Sequence, residues 1–296
     1  MTRQFAGVFP PLTTPFSGDE VDTGKFKENI KKYNRFDLAG YAILGSTGEN
    51  VFLSDEESLK LVEAAKEAAL PGHKIIVGTA RESTKATLEF SNKMATLGAN
   101  AALVRTPSYY KPRMSRDVLK RHYVTLADSA RLPIIIYHFP QLTGISVESE
   151  LVLELAGHPN IIGIKDSSGN LALLGEVVPQ VKPSFCFLIG SGSVFLAGLE
   201  LGACGGILAL ADAAPGPCSR LYKLFLDGKK EEALRLQYDL IPLSKSLTQI
   251  HGIPGIKYAL DLLGFYGGSP RPPLMPLEEK EKAGIALLLQ KNGLLS

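Results

Sequence analysis

Short apolar runs of strand length alternate along this chain with longer stretches in which apolar and charged positions recur at helical spacing. The runs at 6–10, 40–44, 74–77, 101–105, 133–137, 161–165, 185–189 and 204–208 are the predicted strands. They read as nearly continuous hydrophobic segments, as expected of parallel strands buried on both faces. Their starts recur roughly every 20 to 35 residues, which leaves room for one helix after each strand. Eight such units predict an α/β fold, a (β/α)8 TIM barrel; an open, doubly wound sheet is the alternative. The phase is clearest at Ser54-Asp55-Glu56-Glu57, a capping box that opens an apolar-periodic stretch at 59–69. After the eighth strand Pro215 and Pro217 break the chain, and 221–240 resumes helical spacing around Gly228. The barrel is expected at 1–224, with 225–296 forming a C-terminal helical extension packed on it that includes amphipathic stretches at 256–263 and 278–290.

The chemistry centres on Ile161-Ile162-Gly163-Ile164-Lys165-Asp166-Ser167-Ser168-Gly169-Asn170, an apolar run that ends in a lysine and a polar, glycine-containing turn. Because side chains alternate across a strand, Lys165 is expected to share a face with Gly163 and Ile161, and Gly163 to leave room for the amine to lie inward. Burial disfavours an ammonium ion and lowers a lysine's pKa, leaving free amine to attack a carbonyl carbon and form a Schiff base. On spacing alone, the alternative is a strand end whose amine reaches water.

In a parallel barrel the reacting groups sit at the C-terminal ends of the strands, so the residues where each apolar run stops are the ones to inspect. The second strand ends in Gly45-Ser46-Thr47-Gly48-Glu49, whose N–H groups and hydroxyls suit a carboxylate or phosphate. An ordinary turn explains the same residues, with Glu49 serving the loop or the next helix start. Thr106-Pro107-Ser108-Tyr109-Tyr110-Lys111-Pro112 follows the fourth strand, and the fifth ends in Tyr137 on the face of Ile135. A phenol beside a forming imine shuttles protons, work that contributes roughly 10² to 10⁴ in rate; the alternative is an aromatic that closes the core with its hydroxyl in water. Gly190-Ser191-Gly192-Ser193 in the seventh unit has no lysine or arginine beside it, so close backbone approach to a neutral or singly charged group is expected there rather than a phosphate dianion. No third glycine completes a dinucleotide fingerprint, and no P-loop occurs. The histidines show no metal-ligand spacing, so the site is expected to be metal-free, and His138 is expected to point away from Tyr137.

Composition narrows the class of partner. The 296 residues are 45% hydrophobic, enough for one large domain or two small ones. A net charge of +2, from 32 basic and 30 acidic residues intermixed, argues against nucleic acid or a membrane surface and for a small molecule. Cys186, Cys204 and Cys218 are odd in number and lack metal-type pairing, so they read as reduced core residues, which suits a cytoplasmic protein. Residues 1–16 carry turn-forming prolines and no apolar segment followed by a small-residue cleavage site, so no secretory signal is expected in them, and no stretch is long enough to span a bilayer as a helix.

Together the turn at 45–49, Tyr109-Tyr110, Tyr137 and Gly163-Ile164-Lys165-Asp166 closely resemble the pyruvate-dependent aldolase family of dihydrodipicolinate synthase and N-acetylneuraminate lyase. The resemblance covers nearly the whole chain, from 7–16 through Ile253-Pro254-Gly255-Ile256-Lys257 to Arg271-Pro272-Pro273-Leu274. It implies a (β/α)8 barrel with a C-terminal helical extension, class I Schiff-base chemistry without metal or cofactor, and a homo-oligomer, dimer or tetramer. It also implies roles for particular residues. Lys165 forms the Schiff base with the 2-oxo acid, Tyr137 relays protons, and Ser46 and Thr47 hold the carboxylate, Thr47 with a catalytic part as well. Gly190, Ser191 and Ile207 belong to the substrate site, and Tyr110 reaches into the neighbouring subunit's site.

The chain departs from the synthase pattern at Gln141-Leu142-Thr143-Gly144, where the family would place an arginine instead of Leu142 to grip the second substrate's carboxylate. Tyr109-Tyr110-Lys111-Pro112-Arg113-Met114-Ser115, Gly252-Ile253-Pro254-Gly255-Ile256-Lys257 and Gly264-Phe265-Tyr266-Gly267-Gly268 look more like 4-hydroxy-2-oxoglutarate aldolases. The expected reaction is therefore retro-aldol cleavage of 4-hydroxy-2-oxoglutarate to pyruvate and glyoxylate. The alternatives are a 4-hydroxy-tetrahydrodipicolinate synthase condensing pyruvate with aspartate semialdehyde, a 2-keto-3-deoxy sugar-acid aldolase, a phosphate-binding barrel of other chemistry, and a 2-oxo acid binding barrel without turnover. In the aldolase reading the distal carboxylate falls to Arg81, Arg105, Ser191 or Ser193.

Overall fold

The eight apolar runs become parallel strands in the computed structural model, which describes residues 4–295. They are β1 Gly7–Phe9, β2 Gly40–Ile43, β3 Lys74–Gly78, β4 Ala101–Arg105, β5 Ile134–His138, β6 Ile161–Asp166, β7 Cys186–Ile189 and β8 Gly205–Ile207. From β2 to β8 each strand pairs with the next in the chain, and β8 pairs in turn with β1, placing Phe9 opposite Ile207. The circle closes between β1 and β2 through a parallel bridge from Pro11 to Ala42 and an Ala39 N–H bond to the Val8 carbonyl at 3.0 Å. That closure excludes the open sheet and makes the fold a (β/α)8 barrel.

Two apolar layers account for the continuous hydrophobicity of the strands. Phe9, Ala42, Ile76, Leu103, Ile135 and Leu188 fill the barrel interior. Val8, Ile43, Val77, Val104, Ile136 and Ile164 face outward into the cluster formed with the helices. Those helices are α1 Thr23–Tyr33, α2 Asp55–Ala68, α3 Thr84–Thr96, α4 Arg116–Ser129, α5 Ser149–Ala156, α6 Leu171–Val177, α7 Phe195–Glu200 and α8 Pro215–Leu226. Side chains of Asp22, Ser54, Ser83, Ser115 and Asn170 accept backbone N–H bonds at the starts of α1, α2, α3, α4 and α6, fixing where those βα loops end. At α2 the predicted capping box is complete, with Ser54 Oγ accepting from Glu57 N at 3.1 Å and Glu57 Oε2 from Ser54 N at 2.8 Å.

Pro215 opens α8 instead of breaking the chain, because a first-turn proline lacks only an N–H that would have had no partner. The predicted stretch at 221–240 is two helices, α8 and α9 Lys230–Lys245, parted at Gly228, whose φ of +70° suits glycine. Two further helices follow, α10 Gly252–Leu262 and α11 Glu279–Lys291. Polar side chains tie this extension to the loops of the barrel. Gln237 on α9 accepts from Leu196 N at 2.8 Å and donates to Gly192 O at 3.0 Å, and Lys257 on α10 meets Glu49 after β2.

One strand departs from simple alternation. Ile134 of β5 pairs with Ile161, but Ile135 pairs with Gly163, so Ile162 is an extra residue in β6. A bulge moves the following side chains to the other face. Ile161 consequently lies in the outer cluster while Lys165 points inward, correcting the expectation that the two share a face. Gly163 serves the backbone and not the lysine: a Cβ there would lie 2.3 Å from the Cys186 carbonyl oxygen. All three cysteines are buried and none is in a disulfide. Among the described residues no helix is long and apolar enough to cross a membrane.

Candidate active site

The C-terminal ends of β4, β5, β6 and β7 bring their inward-facing residues into one layer. Arg105 is level with Tyr137, Tyr137 with Lys165, and Lys165 with Leu188 across neighbouring strands. Lys165 is 4% exposed, and its Nζ lies 4.2 Å from the centroid of the Tyr137 ring. The Tyr137 hydroxyl is 3.3 Å from Ser46 Oγ, which joins the turn after β2 to the lysine through one aromatic side chain. Tyr137, Ser46, Gly45, Asn50, Leu103 and Arg105 line a small cleft at this mouth of the barrel.

The turn that carries Ser46 is held from several sides. Leu44 enters it with φ +54° and Glu49 leaves it with φ +56°, left-handed conformations that cost side-chain-bearing residues roughly 1 to 3 kcal/mol each. Gly78 permits the entry, since a Cβ there would lie 1.9 Å from the Leu44 carbonyl oxygen. The exit is fixed by Glu49, fully buried, whose Oε1 meets Lys257 Nζ at 2.7 Å and whose Oε2 accepts from Arg271 N at 2.8 Å. Burial pushes the Lys257 pKa down, and the Glu49 carboxylate opposes that shift. Arg271 continues the network in a two-pronged pair with Glu57, at 2.6 and 2.9 Å.

Of the residues singled out in the sequence, Lys165, Tyr137 and Ser46 are therefore together. Thr47 is half-buried in the same turn, and Ile207 lines the barrel interior opposite Phe9. Gly190 donates to the Asp166 carbonyl at 2.7 Å, and a Cβ there would lie 2.0 Å from Ser167 Oγ, so it permits close approach of two loops. Ser191 is half-buried beside it, while Ser193 donates to Ser244 at 3.3 Å, away toward α9. Tyr110 is not brought to Lys165 within this chain: it is 69% exposed, its ring at 5.0 Å edge-to-face with that of Tyr109. Arg81 is also drawn aside, paired with Asp55 at 2.6 Å and lying 3.7 Å over the Phe90 ring. Leu142 is 62% exposed on the one-turn helix Pro140–Thr143.

The structure also shows partners of buried polar groups at the strand ends that the sequence does not reveal. His138, on the face opposite Tyr137, shares a 2.8 Å hydrogen bond from Nδ1 with Asp166 Oδ1, and Asp166 also accepts from Ser168 N and Oγ. Asp212, in the one-turn helix Leu210–Ala213 after β8, is fully buried, and neither carboxyl oxygen has a hydrogen-bond partner among the described residues. Burial pushes its carboxyl well above the usual carboxylate range against the pull of Lys165. One signal was available: Asp212 is the sole charge in the apolar run 207–215.

Comparison with known proteins agrees with this architecture. The model of the dihydrodipicolinate synthetase family matches residues 4–292. A 4-hydroxy-tetrahydrodipicolinate synthase from Methanococcoides burtonii is 33% identical, covering 98% of this chain and 99% of its own. The corresponding protein from Archaeoglobus fulgidus is 35% identical over 99% and 100% of the two chains. Among solved structures, YagE of E. coli K12, a prophage protein of the dihydrodipicolinic acid synthase family in complex with pyruvate, superposes with a TM-score of 0.90 at 31% identity, covering 98% of this chain and 99% of that one. The chain belongs to the dihydrodipicolinate synthetase family, and it is an enzyme of the class I, pyruvate-dependent aldolase type.

Proposed function

We propose that Lys165 forms an imine with pyruvate and that the enamine derived from it makes or breaks a carbon–carbon bond with a small aldehyde. The observation that carries this reading is the buried Lys165 amine lying 4.2 Å from the Tyr137 ring, with the hydroxyl of that tyrosine 3.3 Å from Ser46. YagE, similar over nearly the whole chain, holds pyruvate. In the proposed sequence the Lys165 amine adds to C2 of pyruvate, and protons pass through the Tyr137 hydroxyl as the carbinolamine loses water. Ser46 and Thr47 hold the pyruvate carboxylate. A proton leaves C3 to give the enamine, C3 adds to the aldehyde carbon, and hydrolysis returns the free amine. Retro-aldol cleavage runs the same steps backward.

The similar proteins of Methanococcoides burtonii and Archaeoglobus fulgidus are both synthases, which favours condensation of pyruvate with aspartate semialdehyde over the 4-hydroxy-2-oxoglutarate cleavage expected from the sequence. One observation favours the cleavage as a second reading: Leu142 is apolar and exposed, and offers no charge-assisted bond to the semialdehyde's carboxylate. Borohydride reduction in the presence of pyruvate, followed by intact-mass and peptide analysis, tests the imine. The expected result is a stable pyruvyl-derived mass on Lys165 that is absent from Lys165→Ala; an unmodified protein refutes the mechanism. Comparing kcat/KM for the condensation with that for pyruvate release from 4-hydroxy-2-oxoglutarate decides between the two reactions.

A further inference from the structure

We infer that Arg105 is the carboxylate anchor for the second substrate and so determines which aldehydes the imine accepts. The assignment rests on the proposal that Lys165 carries the pyruvate imine. Arg105 ends β4 on the inward face shared with Ala101 and Leu103, and it is level with Tyr137, which is level with Lys165. At roughly 4.8 Å between neighbouring strands, its backbone is about 10 Å from that of Lys165. Arg105 and Lys165 thus stand two strands apart on the inward side of the barrel, with Tyr137 between them.

The guanidinium is oriented and half-committed. Among the described residues all of its hydrogen bonds come from Nη1: 2.9 Å to Glu82 Oε1, 3.1 Å to the Thr106 carbonyl and 3.3 Å to Ser108 Oγ. Nη2 and Nε have no partner among the described residues, leaving donors of the planar fork that matches a carboxylate. Glu82 is a positioning residue: it also accepts from the N–H groups of Ser108 and Tyr109, each at 2.9 Å, and so locks the arginine to the loop that follows β4.

Arg105 is the only charged side chain lining the cleft among the described residues, and it shares that cleft with Ser46 and the Tyr137 hydroxyl. Arg105 pairs with Glu82 through Nη1 and still lines the cleft, whereas Arg81, paired with Asp55 and stacked on Phe90, and Lys257, paired with Glu49, do not line it, and Leu142 supplies no charge. The ligand class is therefore a small aldehyde, or the aldol adduct derived from it, bearing a carboxylate.

The test uses the full-length protein with Arg105→Met and Arg105→Lys, pyruvate as donor, and three aldehydes: aspartate semialdehyde, glyoxylate and the uncharged propanal. For Arg105→Met, the ratio of kcat/KM for the better carboxylated aldehyde to that for propanal is expected to fall about 10²-fold, mainly through KM for the aldehyde. Arg105→Lys, which keeps the charge without the fork, is expected to fall between the two proteins. Equal losses for charged and uncharged aldehydes, or an unchanged ratio, overturn the assignment. Loss of the borohydride-trapped pyruvyl adduct in both variants overturns it too, because Arg105 would then be serving pyruvate or the fold. Absence of that adduct in the unaltered enzyme refutes the imine reading itself, a result distinct from the others.

Discussion

Tyr137 presents its ring face to the Lys165 amine and its hydroxyl to Ser46, so one side chain combines a packing part and a chemical part. Tyr137→Phe separates them, since the ring remains and the hydroxyl is lost. If the hydroxyl relays protons, kcat falls by roughly 10² or more while the melting temperature changes little; an unchanged kcat would return Tyr137 to the role of core aromatic. Asp212 lends itself to a pH experiment. Its neighbours by charge are Lys165, Tyr33 and Cys218, the last two with pKa values raised by burial first and by Asp212 second. Below the ordinary carboxyl value of 3.8 the folded and unfolded states both hold the proton. Above it the unfolded state releases the proton first, so stability falls as pH rises, by about 1.4 kcal/mol for each unit over which only the folded state retains it. Asp212→Asn lacks that dependence. Its melting temperature is expected to gain on that of the unaltered protein between pH 4 and pH 8, and a constant difference across that range would contradict the raised carboxyl pKa. Lys165 and Tyr137 could be singled out in the sequence because each ends an apolar run, and Ser46 because it lies in the turn after one; the barrel sends such positions to one mouth. Asp212 follows the last strand in a one-turn helix without a pattern of its own, and only its charge among apolar neighbours marks it.

Elements were read more easily than the joints between them. All eight strands lie where the apolar runs do, because double burial leaves a continuous hydrophobic signature. The bulge at Ile162 leaves no such signature, as an extra isoleucine among isoleucines looks like more strand. The two-residue strands Phe16–Ser17 and Glu20–Val21 are too short to show a period. Buried ion pairs are equally invisible, since nothing local connects Glu49 in the turn after β2 with Lys257 on α10. That pair supports a prediction. Lys257→Met leaves the Glu49 charge buried with the Arg271 N–H as its remaining hydrogen-bond partner among the described residues, a loss of the kind that costs roughly 3 to 5 kcal/mol. Denaturant unfolding should reveal it, together with a lower kcat/KM for pyruvate, because the turn carrying Ser46 and Thr47 loses its anchor. The double variant Glu49→Gln with Lys257→Met should recover part of the stability, since no unpaired charge remains. If the single and double variants prove equally unstable, the pair acts through packing alone.

At the scale of the whole molecule, the closed barrel makes each loop at the mouth dependent on its neighbours, and the loop after β4 is the one that reaches outward with aromatic side chains. Glu82 and Arg105 pin its backbone, yet it holds out two adjacent rings, Tyr109 at 78% and Tyr110 at 69% exposure. Rigidly presented apolar surface of this kind marks a contact site, and paired tyrosines are favoured at interfaces because they bury large area with little loss of freedom. We propose that a second copy of this chain covers them, so that Tyr110 of one protomer completes the site of the other, as the family resemblance implies. A two-fold arrangement makes the exchange mutual, each protomer giving a tyrosine and receiving one. Replacing both tyrosines by alanine is expected to shift the particle toward monomer in light scattering and to lower kcat together with the fraction associated. Tyr110→Phe, which keeps the ring and removes the hydroxyl, separates assembly from chemistry: the oligomer should persist while kcat falls. A fully active monomer at assay concentration, or a Tyr110→Phe enzyme with unaltered kcat, would confine Tyr110 to a local contact and leave Lys165, Tyr137 and Ser46 as a site complete within one chain.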